Sequence, residues 1–221
     1  LIISFLQLLI EFPLVIVFAL LMNEIKSGPF RKAVQMLTYM PYFISMVVMA
    51  GIIVDFCKST GVIGQLIGLI TGTPVNLFGD PIYWRPMYIV TNLWQGLGFS
   101  SIIYVAALSG IDQSLYEAAE IDGAGKSKKF FSITLPLISP TTLFVTIQGV
   151  SGALQVFDQA YVLTKGGPGD SSSTMVFYIW QNAFQKMDMG YGTTLALLLF
   201  VFVMIVTVTQ MVLSKKWVFY N

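Results

Sequence analysis

The sequence of 221 residues lacks histidine, contains a single cysteine and has few charged side chains. Without histidine it cannot carry a serine-histidine-aspartate triad, and with Cys57 alone it has neither a cysteine and histidine zinc cluster nor an internal disulfide. Charged residues make up 10% of the chain, against about 25% in a typical soluble domain, and the formal net charge is +1. This composition excludes an ordinary soluble enzyme, and it offers no clustered basic surface for nucleic acid.

The hydrophobic residues, 56% of the chain, are concentrated in long uncharged runs. A helix needs about 20 apolar residues to cross roughly 30 Å of hydrocarbon. Five stretches of that length predict five membrane-spanning helices: Leu1 to Met22, Met36 to Cys57, Pro86 to Leu108, Ile138 to Asp158 and Tyr191 to Leu213. The expected fold class is therefore all-α, a polytopic helical membrane protein with a single transmembrane domain over residues 1–221.

Lysine and arginine are distributed unequally between the connections. Eight of the twelve fall in one alternating set, which the positive-inside rule places in the cytoplasm. The loop 110–137 and the C-terminus are therefore predicted to be cytoplasmic, and the segments 58–85 and 159–190 to be extracytoplasmic. A chain that enters from outside with five spans predicts a sixth span before Leu1.

The two extracytoplasmic segments differ in character. Residues 62–70 are apolar but too short to span, and they lie between Gly61 and Gly72. We expect an interfacial helix there, with a re-entrant element as the alternative. The other segment opens with the turn-rich run Thr164 to Ser173, which predicts an exposed loop.

The loop 110–137 contains a short polar helix in the prediction. Ser114 and Glu117 fit a capping box at its start, and Gly123 suits a left-handed C-cap at its end. Leu115, Ala118, Ala119 and Asp122 share one face at helical spacing. Gly125-Lys126-Ser127 imitates the end of a phosphate-binding loop, but Glu120 stands where that motif requires its first glycine. Any ATP used by this protein is therefore expected to be hydrolysed on another subunit.

One spacing pattern in this loop is specific. Glu117-Ala118-Ala119 is followed after three residues by Gly123, and after nine more by Ile133, Leu135 and Pro136. The pattern resembles the E-A-A-x3-G-x9-I-x-L-P signature of binding-protein-dependent ABC transporter permeases. Further segments are similar to the maltose-permease-like, carbohydrate-uptake branch: Asn92-Leu93-Trp94, Leu163 to Gly169 and Lys215-Lys216-Trp217. The ending Trp217 to Tyr220 looks most like that of permeases for oligosaccharides released from polysaccharides.

The resemblance implies a type I ABC importer permease, which is not itself an enzyme and holds no cofactor. Its expected partners are a second permease, two ATPase subunits that bind ATP and magnesium, an extracytoplasmic solute-binding protein and an oligosaccharide substrate. Its expected location is the bacterial cytoplasmic membrane, which it crosses several times.

The resemblance also assigns roles to residues of two loops. The loop 110–137 would form the coupling helix that docks on the ATPase, with Glu117 paired to a basic residue there. The alternative is that Glu117 only caps its own helix. The expected coupling residues are Glu117, Ala118, Ala119, Asp122 and Gly123. The expected binding-protein contacts are Gly166, Gly167, Pro168 and Gly169.

Polar and small residues in two spans indicate a substrate pathway, because polar groups in a bilayer normally face a cavity or a partner helix. In the fourth span Gln148, Ser151, Gln155 and Asp158 form one stripe, and amides suit sugar hydroxyls. By spacing from the loop, an adjacent small face matches cavity positions of related permeases: Gly149, Gly152, Ala153 and Val156. The corresponding positions of the third span are Gln95, Gly96 and Phe99, with Asn92 one turn earlier. The alternative is that the small face packs on the second permease.

Glu11 lies in the middle of the first span, with Gln7 one turn before it. We expect its carboxylate to bond to a partner helix. The rival function is a secondary transporter driven by an ion gradient, with Glu11 or Asp158 as the coupling site. A membrane enzyme lacks a constellation of acid, base and nucleophile.

Overall fold

A computed structural model of the chain describes residues 2–26, 28–79, 81–167 and 172–219. All regular structure in these residues is helical, which confirms the predicted fold class. The α-helices are α1 (Ile2–Glu24), α2 (Pro29–Tyr39), α3 (Met46–Cys57), α4 (Val62–Thr71), α5 (Pro81–Ser109), α6 (Gln113–Ile121), α7 (Lys126–Lys129), α8 (Leu135–Leu137), α9 (Ser139–Leu154), α10 (Met175–Trp180) and α11 (Met189–Ser214). Helices dominate because hydrocarbon offers no water to backbone N–H and C=O groups.

Four helical segments of the described residues are long and apolar enough to cross a membrane: Ile3–Glu24, Met46–Thr71, Ile82–Ser109 and Met189–Ser214. A fifth is added if the bent pair Lys126–Leu137 and Ser139–Leu154 counts as one span. The first, third and fifth predicted spans correspond to α1, α5 and α11 with boundary shifts of a few residues.

The second predicted span, Met36 to Cys57, is wrong as a continuous helix. Helix α2 ends at Tyr39, a 3-10 turn covers Met40–Phe43, and Ile44 is extended with φ −83° and ψ 130°. Pro41 lies in the 3-10 turn, where it removes a backbone donor from the helical ladder. The apolar helical segment runs instead from Met46 through α3 and α4 to Thr71.

The connection after α3 contains the short helix that the glycines predict. Helix α4 follows Gly61 and ends at Gly72, whose φ of +85° gives a left-handed C-cap. The chain then runs back along α4, and the Leu77 N–H donates to the Cys57 carbonyl at 3.1 Å. This return segment places Leu77 and Phe78 in an apolar cluster with Cys57 and Ala50.

The fourth predicted span, Ile138 to Asp158, is also wrong at its outer end, because α9 stops at Leu154 and Gln155 leaves helical geometry. Its inner end is bent by 62° relative to the helical segment Lys126–Leu137. Pro140 has no N–H to offer the Pro136 carbonyl, and the Ser139 hydroxyl donates to that carbonyl at 2.6 Å instead. Proline and serine together therefore explain the bend.

Helices α1 and α5 share two of the protein's buried clusters. Val15 and Ala19 pack with Tyr104 and Leu108 towards the loop end of the pair. Trp84, Tyr88 and Ile89 pack with Ile3 and Leu6 at the other end. By contrast, the apolar window of α11 is 0% buried, so this helix requires lipid or a partner subunit around it. The α1–α5 pair is the scaffold against which α2 and α9 pack.

A glycine on α5 allows the end of α2 to approach closely. A Cβ at Gly98 would collide with the carbonyl oxygen and carbon of Thr38. We predict that Gly98→Ala lowers the melting temperature of the purified protein in detergent by several degrees, because overpacking costs about 1–3 kcal/mol. Thermal unfolding followed by intrinsic fluorescence measures this effect.

The matched control is Gly51→Ala on α3, where an added Cβ meets nothing within 4 Å. Alanine is favoured over glycine inside helices by up to about 1 kcal/mol, so this variant should melt at the wild-type temperature or above it. Equal melting temperatures for the two variants would contradict the close contact at Gly98.

Candidate functional site

The polar helix α6 of loop 110–137 begins at a different residue from the one predicted. The Asp112 carboxylate accepts a hydrogen bond from the Ser114 backbone N–H at 2.9 Å, so Asp112 is the N-cap. Hydrogen bonds from the backbone N–H and the hydroxyl of Ser114 hold the pKa of Asp112 below its usual value. The predicted Ser114 and Glu117 capping box is therefore wrong, because aspartate fulfils that role two residues earlier.

Glu117 is left free by this arrangement. Its side chain is exposed, and it has no hydrogen-bond or ion-pair partner within the described residues. The neighbouring acid Glu120 differs, since it pairs with Lys129 at 3.1 Å. The alternative in which Glu117 only caps its own helix finds no support in this geometry.

The end of α6 has the predicted glycine cap. Gly123 has a φ of +74°, its N–H bonds to the Glu120 carbonyl at 3.0 Å, and the Ala124 N–H bonds to the Ala119 carbonyl at 2.8 Å. These two bonds form a Schellman motif, which needs a left-handed residue at the position of Gly123. The chain therefore reverses sharply between α6 and the basic helix α7.

Helix α6 has a fixed side and a free side. On the fixed side, the Tyr116 and Thr134 hydroxyls lie 2.8 Å apart, and Tyr116 packs on the α1–α5 cluster. On the free side, Ala118 and Asp122 are exposed, Ala119 is half-buried and Ile121 is 88% exposed. The free side of α6 is therefore open to solvent in this chain.

The second candidate site is a cleft of about 430 Å³ that we call the polar cleft. Helices α1 and α5, the break around Tyr42 and residues 155–159 contribute its walls. Six predicted pathway residues line it: Asn92, Gln95, Gly96, Gly152, Gln155 and Val156. Asp158 of the predicted polar stripe lines it as well. The sequence analysis did not place the other lining residues in the pathway: Gln7, Glu11, Tyr42, Met46, Tyr88, Ser100, Phe157 and Gln159.

Two of the predicted amides hold the walls of the polar cleft together. Asn92 and Gln159 exchange hydrogen bonds through both amide groups, at 2.5 and 2.8 Å, and Gln159 is buried. The Gln95 amide donates to the Ile44 carbonyl at 3.3 Å, where the helix is broken. The side-chain amide of Gln155, in contrast, is exposed and has no hydrogen-bond partner within the described residues. Of the predicted amides that line the polar cleft itself, Gln155 is therefore the one whose side chain is free to meet a ligand.

Glu11 faces this cleft, and no described residue of a neighbouring helix donates a hydrogen bond to it. Its Oε2 accepts from the Gln7 amide at 2.9 Å, one turn earlier on α1. Its Oε1 points towards Gly96, where an added Cβ would lie 3.7 Å away. The expectation that Glu11 bonds to a partner helix is therefore wrong, because a residue of its own helix takes that role.

A smaller cavity of about 280 Å³ continues the polar cleft along α5 and shares Glu11, Tyr42 and Ser100 with it. Phe99, Gln148 and Gly149 line this second space. Phe99 stacks on Tyr42 with ring centroids 3.9 Å apart and planes at 4°. One face of the predicted aromatic platform is therefore already covered.

The small residues of α9 have two different surroundings: some open on the polar cleft and others pack against α1. Gly152 opens on the polar cleft, and a Cβ there would meet nothing within 4 Å. A Cβ at Gly149 would lie 3.3 Å from Leu8 of α1. Ala153 is buried, and its carbonyl accepts from the Ser4 hydroxyl at 2.6 Å. Ala153 therefore contacts α1 instead of the polar cleft.

The predicted loop Thr164 to Ser173 contains a buried glycine. Gly166 is buried with a φ of +86°, and a Cβ there would lie 2.5 Å from Phe177. The Gly167 carbonyl accepts from the Ser172 hydroxyl at 2.6 Å. Gly166 is therefore a packing residue in this structure, while Pro168 and Gly169 lie outside the described residues.

Sequence reasoning missed the contributions of Gln159 and Tyr42 to the polar cleft. Gln159 was missed because the predicted fourth span ends at Asp158, so the next residue falls in the extracytoplasmic segment 159–190. Tyr42 was hidden inside a span that was predicted to be continuous. A polar pair four residues apart in an apolar helix, Gln7 and Glu11, was the available signal for the α1 wall.

An apolar exterior, a polar cleft between helices and an exposed helix-turn on one loop are the features of a polytopic membrane protein with a ligand-accessible interior. The chain belongs to the family of binding-protein-dependent transport system inner membrane components, whose sequence profile matches residues 15–218. This match confirms the family that the E-A-A signature predicted.

Several relatives and solved structures resemble the chain over most of its length. It is 32% identical to the protein LplB of Bacillus subtilis over 87% of this chain and 61% of LplB. It is 31% identical to the polygalacturonan/rhamnogalacturonan transport system permease protein YteP of the same organism, over 96% of this chain and 67% of YteP. The chain thus spans about two thirds of these relatives.

A bacterial ABC transporter that imports the acidic polysaccharide alginate contains a chain of the same fold. The TM-score is 0.88 and the identity is 33%, over 97% of this chain and 76% of that chain. The type I ABC importer permease fold is confirmed by this likeness.

The reciprocal amide pair of the polar cleft gives a testable prediction. We expect Asn92→Ala and Gln159→Ala each to lower thermal stability, because each leaves the other amide without its partner. The double variant should lose less than the sum of the two, with a coupling energy of about 1–2 kcal/mol. Thermal or denaturant unfolding of the four proteins measures this cycle, and strict additivity would contradict the pair.

Proposed function

We propose that this chain is one permease subunit of an ATP-driven importer for an oligosaccharide. A second permease completes the translocation pathway, two ATPase subunits bind inside, and an extracytoplasmic binding protein delivers the sugar. The proposal is carried by one observation: the signature is complete in the sequence, and its first part, Glu117 to Gly123, lies on an exposed helix-turn where the Glu117 carboxylate has no partner within the described residues.

The chain works as a transport component, and we assign ATP and magnesium to the separate ATPase. The free side of α6 suits docking, since small side chains at Ala118 and Ala119 allow close approach. Glu117 is then available for a charge-assisted hydrogen bond to a basic residue in the ATPase. The cytoplasm holds loop 110–137 and the C-terminus in this arrangement, in accord with their basic residues.

Movement of α6 reaches the polar cleft through contacts of its fixed side. Tyr116 joins α6 to Thr134 and to the cluster shared by α1 and α5. Ile138 belongs to the same cluster and lies at the bend that leads into α9. Closure of the ATPase dimer would therefore rotate α9 against the α1–α5 pair and turn the polar cleft from one side of the membrane to the other.

An oligosaccharide suits the relatives and the cleft. YteP is named for polygalacturonan and rhamnogalacturonan, and the solved neighbour is described with a periplasmic protein carrying an alginate pentasaccharide. The polar cleft offers hydroxyl, amide and carboxylate groups, which exchange hydrogen bonds with sugar hydroxyls. A secondary transporter driven by an ion gradient is not favoured, because it leaves the coupling signature without a role.

The coupling role of Glu117 is tested by charge reversal. We predict that Glu117→Lys reduces binding-protein-stimulated ATPase activity of the assembled importer by tenfold or more, because a lysine would face the basic residue of the ATPase; tenfold corresponds to about 1.4 kcal/mol.

The control is Glu120→Lys on the same helix, whose wild-type acid pairs with Lys129. An exposed pair is worth about 0–1 kcal/mol, so this variant should keep stimulation within about threefold. Equal effects of the two reversals would contradict the specific role of Glu117.

The pathway is tested by filling the polar cleft. We predict that Gly152→Trp lowers sugar uptake by tenfold or more, because the indole enters open space in the cleft. Gly51→Trp is the control, since Gly51 also has nothing within 4 Å but does not line the polar cleft. Transport of radiolabelled sugar into proteoliposomes measures both, and normal uptake through Gly152→Trp would remove α9 from the pathway.

A further inference from the structure

The charges in the polar cleft have one sign. Of the described residues that line the cleft and its smaller continuation, the charged ones are Glu11 and Asp158, and neither lysine nor arginine is among them. The remaining polar lining groups are amides and hydroxyls. This chain therefore brings negative charge, and no positive charge, to the pathway surface that the structure describes.

Glu11 occupies a central position in this surface. It lies where the polar cleft and the smaller cavity meet, since it lines both. The Gln7 amide bonds to one of its oxygens, and the other faces the space above Gly96. The ion pairs within the described residues are Asp55 with Lys58 and Glu120 with Lys129, so no cation neutralises Glu11 there.

We infer that Glu11 makes this permease selective for neutral oligosaccharides over oligosaccharides of uronic acids, an inference that rests on the proposed function. Sugar hydroxyls donate hydrogen bonds to a carboxylate, and such charge-assisted bonds are stronger than neutral ones. An ionised sugar carboxylate has no proton to donate and is repelled by Glu11. The repulsion is stronger in a cleft walled by protein than in bulk water, because the effective dielectric constant is lower.

This selectivity separates the chain from YteP, which is named for the polyuronate polygalacturonan, and from its solved neighbour, which imports an acidic polysaccharide. Similarity of fold at a TM-score of 0.88 does not carry substrate charge with it. A pathway for polyuronates would need cationic side chains to offset a carboxylate on every sugar unit.

The test uses tetrasaccharides in matched pairs and the assembled importer, purified in detergent without its binding protein. Each pair shares its linkage: cellotetraose, mannotetraose and galactotetraose are compared with the counterparts in which every C6 hydroxymethyl group is a carboxylate. Isothermal titration measures Kd at neutral pH. For the pairs that bind, we expect the neutral member to bind tighter by about tenfold or more.

Glu11→Gln removes the charge and keeps the shape. We expect it to weaken binding of the neutral member by about threefold and to strengthen binding of the acidic member by about tenfold, so that the preference disappears. The matched control is Glu24→Gln, at the other end of α1 and outside the cleft lining, which should leave the preference unchanged. If Glu11→Gln fails to assemble, the wild-type preference alone decides.

The outcomes separate the two proposals. Tighter binding of the acidic members, or a neutral preference that Glu11→Gln leaves intact, overturns the role of Glu11 while sugar transport stands. Binding of neither member of any pair, together with uptake that persists through Gly152→Trp, overturns the proposed function and this inference with it.

Discussion

Inside hydrocarbon every interruption of a helix exposes a carbonyl that must find a donor, and this constraint governs where the chain bends. Three interruptions are satisfied by side chains. Gln95 bonds to the Ile44 carbonyl, Ser139 to that of Pro136, and Thr174 to that of Val156 at 2.5 Å. The breaks at Ile44 and Val156 border the polar cleft. Polar side chains there stabilise an irregular backbone by bonding to its free carbonyls.

Helices α1 and α5 contact loop 110–137 at one end and form walls of the polar cleft farther along. Near the loop, α1 and α5 form the cluster on which Tyr116 rests, and farther along they form the walls that hold Glu11 and Asn92. A displacement of the loop therefore acts on a scaffold that already includes the cleft. The proposed mechanism needs no separate linkage, because the tight packing of α1 against α5 would transmit the movement.

Composition and run length were enough to predict an all-α membrane protein, and the spacing from Glu117 to Pro136 was enough to predict its family. Two span boundaries were predicted wrongly for one physical reason. Hydropathy measures the cost of burial and not the continuity of the backbone, so it shows neither the break at Ile44 nor the end of α9 at Leu154. Asp112 and Ser114 are both good N-caps, and only the folded backbone chooses between them. The partners of Asn92 and Gln95 depend on those breaks and could not be foreseen.

The close contact at Gly98 means that the break between α2 and α3 is held firmly against α5. Thr38 contacts α5 at Gly98, and the Gln95 amide donates a hydrogen bond to the Ile44 carbonyl. Tyr42 stacks on Phe99. Residues 38–44 are therefore held by consecutive turns of α5, and they are expected to move together with it. In the proposed mechanism, a change of access would therefore open the cleft between α9 and the α1–α5 pair, with the Tyr42 segment staying on α5.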